Sequence, residues 1–208
     1  MITIHLNRAT WQFDESEPLG PAGGFGEVFK GHAEDGSEVA MKRLHVDAEE
    51  ASNRDLRIAE DLAREAYDHF LPVLDSGQDA NSDRYYLVML IAEESLQARL
   101  DNMGKLDEPE SVDVLLQIAR GLREGEHIVH RDLKPGDVLF HSGVWKIADY
   151  GIARFVSEET SVNTLKDCLS PHYAAPEQPR SFNPSNCTRP SASRAADELH
   201  AVRLPGEL

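Results

Sequence analysis

The segment HRDLKPGDVLF, from His130 to Phe140, carries the side chains best suited to chemistry. Asp132 stands between a histidine and Lys134, and a second carboxylate, Asp137, follows five residues later. Apolar residues alternate with these charged ones, so the apolar side chains can anchor the segment while the charged side chains converge on a site. The pattern is typical of a catalytic loop.

The charged side chains of this segment are suited to phosphoryl transfer. The carboxylate of Asp132 could orient an attacking hydroxyl and accept its proton, and the Lys134 ammonium could neutralise a transferred phosphoryl group. Asp149, in the sequence ADYG, could bind Mg²⁺ together with Asp137 and the phosphates of a nucleotide. Taken singly, an aspartate at such a place is more often a turn former than a ligand.

Two features earlier in the chain would suit a nucleotide. Gly23, Gly24 and Gly26, in LGPAGGFGEV, would let the backbone lie close over phosphates and donate N–H groups to them. A glycine-rich hairpin turn without a ligand explains the same residues. Lys42 ends the strand-like sequence VAMK, where its ammonium could be held in a cleft, although a solvated strand end is the simpler alternative.

Composition narrows the class of protein. A length of 208 residues allows one sizeable core or two small lobes, and a net charge of −16 argues against nucleic-acid or anionic-membrane partners. Cys168 and Cys187 are too few for a disulfide framework or a four-ligand zinc site. No segment resembles a signal peptide or reaches the roughly 18 to 20 apolar residues of a membrane span. We expect a cytoplasmic protein without a membrane segment.

The first half of the chain is predicted to be a sheet with one helix. Residues 11–43 alternate apolar and polar positions around the turn signal Asp35–Gly36, which indicates a twisted antiparallel meander. Ala48–Tyr67 has apolar residues at steps of three and four, which predicts an amphipathic helix. Two further strands are predicted, over Leu71–Leu74 and Tyr85–Ile91, so the sheet is complete by about residue 92.

The second half is predicted to be mainly helical. Helices are expected over Ser95–Leu100 and Ser111–Arg123. The second of these carries an apolar stripe formed by Val112, Leu115, Leu116, Ala119 and Leu122. A hairpin at Ser142–Gly143 and a strand over Trp145–Ile147 follow His130–Phe140, which is called the catalytic segment after its predicted role. After Glu177 the chain becomes rich in Pro, Ser and Arg without a sustained period, which predicts disorder.

The order and spacing of these motifs resembles the eukaryotic-type protein kinase family. The motifs are the glycine-rich segment, VAMK, HRDLKPGD, DYG and the APE at Ala175–Glu177. Lys134 within HRDLKP is typical of the serine/threonine branch, and the compact arrangement is similar to that of bacterial members.

The resemblance implies an α+β, bilobal, protein kinase-like fold. Residues 1–12 would be an N-terminal extension, 13–92 a β-rich N-lobe with one main helix, and 93–177 an α-helical C-lobe. Kinases continue after APE with several buried helices, and residues 178–208 do not resemble them. We therefore expect an incomplete C-lobe, a truncated kinase chain and a disordered tail.

The resemblance also implies roles for the charged residues. Asp132 would be the catalytic base, and Lys134 would contact the transferred phosphate. Lys42 would pair with the α- and β-phosphates of ATP, while Asp137 and Asp149 would hold Mg²⁺. The protein would transfer the γ-phosphoryl group to a serine or threonine of a protein substrate.

A second group of residues is implied to surround the nucleotide. Tyr86–Ala92 would be the hinge between the lobes, with Met89 as the gatekeeper and the backbone of Ala92 near the adenine. The remaining nucleotide contacts would come from Gly23, Gly24 and Gly26 over the phosphates and from Val28, Ala40 and Leu139 against the base. Hydroxyls in the position of an activation loop are those of Ser157, Thr160, Ser161 and Thr164.

Two departures from the family pattern fall on the site. Asp137 replaces an asparagine, and its extra charge could either tighten metal binding or repel the nucleotide. The helix glutamate that pairs with the strand lysine falls on Asp55, one methylene shorter, so the helix must lie closer to Lys42. Glu60 is the alternative partner, but it would require the apolar stripe of the helix to turn away from the core.

These departures leave an alternative function open. A truncated, catalytically impaired kinase-like protein could act as a nucleotide- or partner-binding module. The apolar face of Ser111–Arg123 would lack its cover in an incomplete C-lobe, which favours self-association.

Overall fold

The computed structural model describes residues 1–20, 26–44, 57–63, 67–82, 84–149, 154–155 and 173. Its first half contains a six-stranded antiparallel sheet in the order β1-β2-β3-β4-β6-β5. The strands are β1 Ile2–His5, β2 Thr10–Pro18, β3 Gly26–Ala33, β4 Glu38–Leu44, β5 Val73–Gln78 and β6 Tyr85–Leu90.

The meander predicted for residues 11–43 is confirmed in β2, β3 and β4. Its turn falls at Asp35–Gly36, where the Gly36 N–H donates to the Ala33 carbonyl at 3.0 Å. Strand β5 begins two residues later than predicted, at Val73. The preceding Leu71 donates its N–H to the carbonyl of Ile147 at 2.9 Å, so that residue pairs with the second half of the chain instead.

The β1–β2 hairpin connects the two edges of the sheet. The buried carboxylate of Asp75, on β5, accepts the backbone N–H groups of Arg8 and Ala9, each at 3.1 Å, and Trp11 Nε1–H at 2.8 Å. Asn7 donates to the carbonyl of Ser76 at 2.7 Å. Residues 1–12, which the sequence suggests as an extension, therefore form part of the sheet.

One helix covers the inner face of this sheet. Residues 57–63 are helical and are called α1; the remainder of the predicted helix over Ala48–Tyr67 lies outside the described residues. Ile58, Ala59 and Leu62 are buried in a core cluster that includes Leu87 of β6. Their spacing of one, three and four residues puts them on one face, as an amphipathic helix requires.

The second half begins with two capped helices. Helix α2, Leu96–Met103, has Ser95 as its N-cap, and helix α3, Glu108–Glu124, has Asp107. Each cap side chain accepts a backbone N–H of the first turn, at 3.0 and 2.9 Å respectively. Both predicted helices are confirmed, with later C-terminal ends than the sequence suggested and an earlier start for α3.

Short strands flank the two helices and frame the catalytic segment. The strands are β7 Glu94–Ser95, β8 Ile128–Val129, β9 Val138–His141, β10 Val144–Ile147 and β11 Arg154–Phe155, with a 3-10 helix over Pro135–Asp137. They form a sheet in the order β10-β9-β7 and the pair β11-β8. The hairpin predicted at Ser142–Gly143 is confirmed as the turn between β9 and β10.

Helix α3 buries a different face from its most apolar one. Val114 and Gly121 are buried. Of the five members of the predicted stripe, Val112, Leu115, Leu116 and Leu122 are between 43% and 64% exposed, and Ala119 is also exposed. Within the described residues, no helix is both long and apolar enough to cross a membrane.

Candidate active site

The catalytic segment is hydrogen-bonded to Ala148, the residue between strand β10 and Asp149. His130 Nε2–H donates to the carbonyl oxygen of Ala148 at 3.0 Å, and the Ala148 N–H donates to the carbonyl of Asp137 at 2.8 Å. Both polar backbone groups of Ala148 therefore bind the segment. Burial lowers the pKa of His130, so its imidazole is neutral at pH 7.

Two residues of this region have left-handed backbone conformations, Arg131 with φ of 72° and Asp149 with φ of 57°. Such conformations cost free energy in residues other than glycine and are concentrated at functional sites. One of these residues lies in the catalytic segment and the other directly follows Ala148. Their backbone conformations therefore support a functional site where the two segments meet.

Asp132, Lys134 and Asp137 converge as the sequence predicted. Lys134 Nζ lies 2.8 Å from Asp132 Oδ2 and 3.7 Å from Asp137 Oδ1. Both carboxylates are buried. Burial would lower the pKa of Lys134, but the two neighbouring carboxylates outweigh it and raise that pKa, so the ammonium stays charged.

Lys42 reaches the same region from β4. It is buried, and its ammonium forms a hydrogen-bonded ion pair with Asp149 Oδ1. Burial would raise the pKa of Asp149, but the adjacent Lys42 outweighs it and lowers that pKa. The Asp149 side chain is 40% exposed, so this carboxylate borders solvent while its lysine partner does not.

The pKa of Asp137 is strongly raised. Burial and, next, the charge of Asp149 raise its pKa from 3.8 to about 8, although Lys134 acts in the opposite direction. A carboxyl group with this environment is largely protonated at pH 7. A divalent cation bound between Asp137 and Asp149 would relieve the repulsion, so this pair fits a metal ion chemically.

The part of the chain that the structure describes supplies only a partial set of metal ligands at this place. Among the described residues, no group of three or more His, Cys, Asp or Glu side chains could hold a metal ion. Two carboxylates can still bind a divalent cation that shares phosphate oxygens of a nucleotide, because Mg²⁺ is commonly held by one or two carboxylates plus phosphates.

The residues implied for the base of the nucleotide lie on β3, β4 and β9 and in the predicted hinge. Val28 is opposite Lys42 in the β3–β4 register, and Ala40 is opposite Met89 in the β4–β6 register. Ala40 and Met89 are buried. The partly buried Ala92 and Leu139 pack against the cluster that contains Met89.

The β9–β10 hairpin bonds to the end of the predicted hinge, a contact that the sequence did not indicate. His141 Nδ1–H donates to the carbonyl of Ile91 at 3.0 Å, and the Ser142 N–H donates to Glu93 Oε1 at 2.8 Å. The Glu93 N–H in turn donates to the carbonyl of Phe140 at 2.9 Å. A lone histidine after a strand carries no signal in sequence for such a backbone contact.

Gly26 is the described member of the glycine-rich segment. A Cβ atom there would lie 2.3 Å from the carbonyl oxygen of Arg43, so glycine lets β3 approach β4 closely. Gly23 and Gly24 lie outside the described residues, as do Asp55, the serines and threonines of the predicted activation loop, and the APE sequence.

Glu60 lies on a different face of α1 from the buried residues. It is exposed and lines a cavity of about 260 Å³ with Asn7 and Asp75, whereas Ile58 and Leu62 are buried. The apolar stripe of α1 thus faces the core. Pairing of Glu60 with Lys42 would require this stripe to turn away from the core, so the observed arrangement disfavours Glu60 as the partner.

Comparison with known proteins identifies the family. The sequence pattern of the family described as "Protein kinase domain" matches residues 13–186. The chain belongs to this family. The α+β bilobal fold inferred from the motifs is thereby confirmed, with a β-rich lobe carrying α1 and a second lobe built around α2 and α3.

Kinases from bacteria and plants are among the relatives of this chain. It is 30% identical over 173 residues to the probable serine/threonine-protein kinase PknB of Corynebacterium glutamicum, covering 76% of the chain and 26% of the relative. It is 33% identical over 150 residues to the serine/threonine-protein kinase PrkC of Bacillus subtilis, covering 69% and 23%. It is 34% identical over 160 residues to the cysteine-rich receptor-like protein kinase 46 of Arabidopsis thaliana, covering 74% and 25%. The chain thus spans about a quarter of the length of these relatives.

Proposed function

We propose that this kinase-family chain transfers the γ-phosphoryl group of ATP to the hydroxyl of a serine or threonine in a protein substrate. The observation that carries the proposal is that two clusters of charged side chains lie on neighbouring segments. In one cluster Lys42 pairs with Asp149, and in the other Lys134 lies beside Asp132 and Asp137. Backbone hydrogen bonds through Ala148 join the segments that bear them. The serine/threonine kinases among the relatives support the same activity.

Asp132 is the proposed base. Its carboxylate is buried and hydrogen-bonded to Lys134, so its orientation is fixed before a substrate arrives. In this role it orients the serine or threonine hydroxyl and accepts its proton as the oxygen bonds to the γ-phosphorus, while the bond from that phosphorus to the bridging oxygen breaks and ADP leaves. Lys134, 2.8 Å away, offsets the negative charge of the transferred group.

Lys42 is the proposed contact of the nucleotide's α- and β-phosphates. In the structure its ammonium is paired with Asp149, and phosphate oxygens are a further class of acceptor that a buried ammonium can bind. Gly23, Gly24 and Gly26 are proposed to cover the phosphates.

The base of ATP is proposed to lie against Val28, Ala40 and Leu139, beside Met89 and the backbone of Ala92. The registers that put Val28 opposite Lys42 and Ala40 opposite Met89 support this assignment.

Kinase domains use ATP with a divalent metal. We infer that the metal here is Mg²⁺ and that Asp137 and Asp149 hold it, since hard carboxylate oxygens suit this ion. The cation supplies positive charge that offsets the phosphates. Burial first and the charge of Asp149 second raise the pKa of Asp137, and a cation bound at this pair would offset the second cause, which supports the assignment.

Asp55 is the proposed helix partner of Lys42. It precedes Ile58, Ala59 and Leu62 by three, four and seven residues, which is the spacing of one helix face. Those three residues are buried against the sheet that carries Lys42. The exposed position of Glu60 supports the choice of Asp55.

A phosphotransfer assay tests the proposal. The wild-type chain, Asp132→Ala and the exposed control Asp101→Ala are incubated with radiolabelled ATP, Mg²⁺ and dephosphorylated casein. Loss of a general base costs typically 10²- to 10⁴-fold, so we expect Asp132→Ala to lose about 100-fold or more of the rate. Asp101 lies on the surface of α2, and its variant keeps the wild-type rate.

Two results would contradict the proposal. Phosphotransfer that survives Asp132→Ala rejects the assignment of the base. Binding of Mg-ATP by the wild-type chain without turnover rejects the enzyme and favours a nucleotide-binding module.

Self-association through α3 is a separate proposal about partners. Val112, Leu115, Leu116 and Leu122 present a contiguous run of exposed apolar side chains, which a second copy of the chain could cover. If two copies associate through this face of α3, the wild-type chain should sediment as a dimer and Leu115→Glu as a monomer. Monomeric sedimentation of both proteins rejects self-association.

A cytoplasmic location is also proposed, since the phosphoryl donor is ATP. Cell fractionation tests this proposal.

A further inference from the structure

The C-terminal end of helix α3 contacts the first lobe through consecutive residues. The Glu124 carboxylate accepts the backbone N–H of His69 at 2.9 Å and lies 2.5 Å from its Nδ1. Gly125 packs against the ring of Phe70 so closely that an added Cβ would lie 2.5 Å from that ring. These contacts hold the segment that follows α1, but they do not touch α1 itself.

His127 extends these contacts to α1. Its Nε2–H donates to Asp61 Oδ2 at 2.8 Å, and the hydroxyl of Tyr67 lies 3.5 Å from the same nitrogen. The rings of Tyr67 and His127 have centroids 6.3 Å apart. The two bonded side chains are 42% exposed for His127 and 30% for Asp61, so the bond lies at the rim of the apolar contact between the lobes.

The apolar contact beside this bond is continuous. Ile128, the residue after His127, is buried in the same cluster as Ile58 and Leu62 of α1. Apolar packing is non-directional and tolerates sliding, whereas a hydrogen bond between two fixed atoms selects one position of the helix. The Asp61–His127 bond is therefore a directional contact between α1 and this surface.

Both partners are close in sequence to groups of the proposed site. His127 precedes His130 by three residues and Asp132 by five, and Asp61 follows Asp55 by six. Because an aspartate is one methylene shorter than a glutamate, a partner of Lys42 at residue 55 tolerates little displacement of the helix. A fixed α1 matters more in this chain than it would with the longer side chain.

We propose that Asp61 and His127 are positioning residues that hold α1 at the distance from Lys42 needed for phosphotransfer. The proposal rests on the proposed function for its catalytic consequence. Its structural content, that the Asp61–His127 bond restrains α1, does not depend on catalysis and is measured separately by hydrogen exchange.

The experiment compares Asp61→Ala, His127→Ala and the double variant with the wild-type chain. Glu126→Ala is the matched control, since Glu126 is the exposed neighbour of His127. His127→Gln tests rescue, because the glutamine amide nitrogen reaches about the place of imidazole Nε2. Hydrogen exchange over residues 57–63 is measured without nucleotide, and kcat and KM for ATP are measured separately.

We expect each alanine variant to speed exchange over 57–63 at least fivefold, with exchange in β3 and β4 unchanged. We expect kcat/KM for ATP to fall at least fivefold, the double variant to match the worse single variant, and His127→Gln to recover most of the loss. Unchanged exchange over 57–63 overturns the inference, as does a glutamine variant no better than alanine. Faster exchange throughout β3 and β4 also overturns it, because the bond would then contribute only general stability.

Failure of the proposed function gives a different result. A wild-type chain without phosphotransfer rejects that function, while selective exchange over 57–63 in the alanine variants still supports the restraint of α1.

Discussion

The imidazole of His130 donates to the carbonyl oxygen of Ala148 at 3.0 Å, and this bond joins the catalytic segment to the backbone that carries Asp149. The Ala148 N–H completes the connection by donating to the backbone carbonyl oxygen of Asp137 at 2.8 Å. The proposed base and the proposed metal ligands are therefore parts of one hydrogen-bonded unit.

His130→Phe tests this unit. Phenylalanine keeps an aromatic ring of similar size but cannot donate, which leaves the buried Ala148 carbonyl without its imidazole partner. We expect the phosphotransfer rate to fall about tenfold and the free energy of unfolding to fall by about 1–3 kcal/mol. Urea denaturation and the casein assay measure the two effects. His5→Phe, at an exposed site on β1, should change neither, and a full rate in His130→Phe would show that the bond does not align the site.

Asp137→Asn should change how stability depends on pH. The pKa of Asp137 is raised from 3.8 to about 8, so its favourable contribution is fully present below pH 3.8 and is lost as the pH rises towards and through 8. Asparagine does not titrate, and each unit of pKa difference is equivalent to about 1.4 kcal/mol.

We therefore expect Asp137→Asn to be more stable than the wild type by about 1 kcal/mol or more at pH 8.5, with a smaller difference at pH 5. Urea unfolding of the metal-free proteins at both pH values measures this. A difference that is constant with pH would contradict the assignment of a buried, protonated carboxyl group.

Gly125→Ala should weaken the contact between the two lobes. The added methyl group would lie 2.5 Å from the Phe70 ring, so the ring or the end of α3 must move. Overpacking of this kind costs about 1–3 kcal/mol. Thermal unfolding measures the loss, and Gly20→Ala is the control, since a Cβ there meets no atom within 4 Å. Equal midpoints for both variants would show that the site relaxes without cost.

Asp75→Ala should open the connection between β5 and the β1–β2 hairpin. The substitution leaves the N–H groups of Arg8 and Ala9 and the indole N–H of Trp11 without their acceptor. Each unsatisfied donor that stays buried costs about 1–3 kcal/mol. We expect at least 3 kcal/mol of destabilisation by urea unfolding and faster proteolysis within residues 1–9. Asp101→Ala, on the surface of α2, should stay within about 0.5 kcal/mol of the wild type.

The sequence alone indicated the family, the central strands and the helices of the fold, and the charged residues of the candidate site. Those conclusions depend on motif spacing and apolar periodicity, which are local properties of the chain. Lys134, Asp132 and Asp137 lie on one short segment, so their proximity follows from the backbone that connects them.

The tertiary structure decided which distant groups meet. The pairing of Lys42 with Asp149 and the contact of Asp61 with His127 join residues separated by 107 and 66 positions. It also decided which face of α3 is buried, because close packing selects the small Gly121 over the more apolar stripe. Pattern predicts which residues avoid water, but only packing decides what each of them touches.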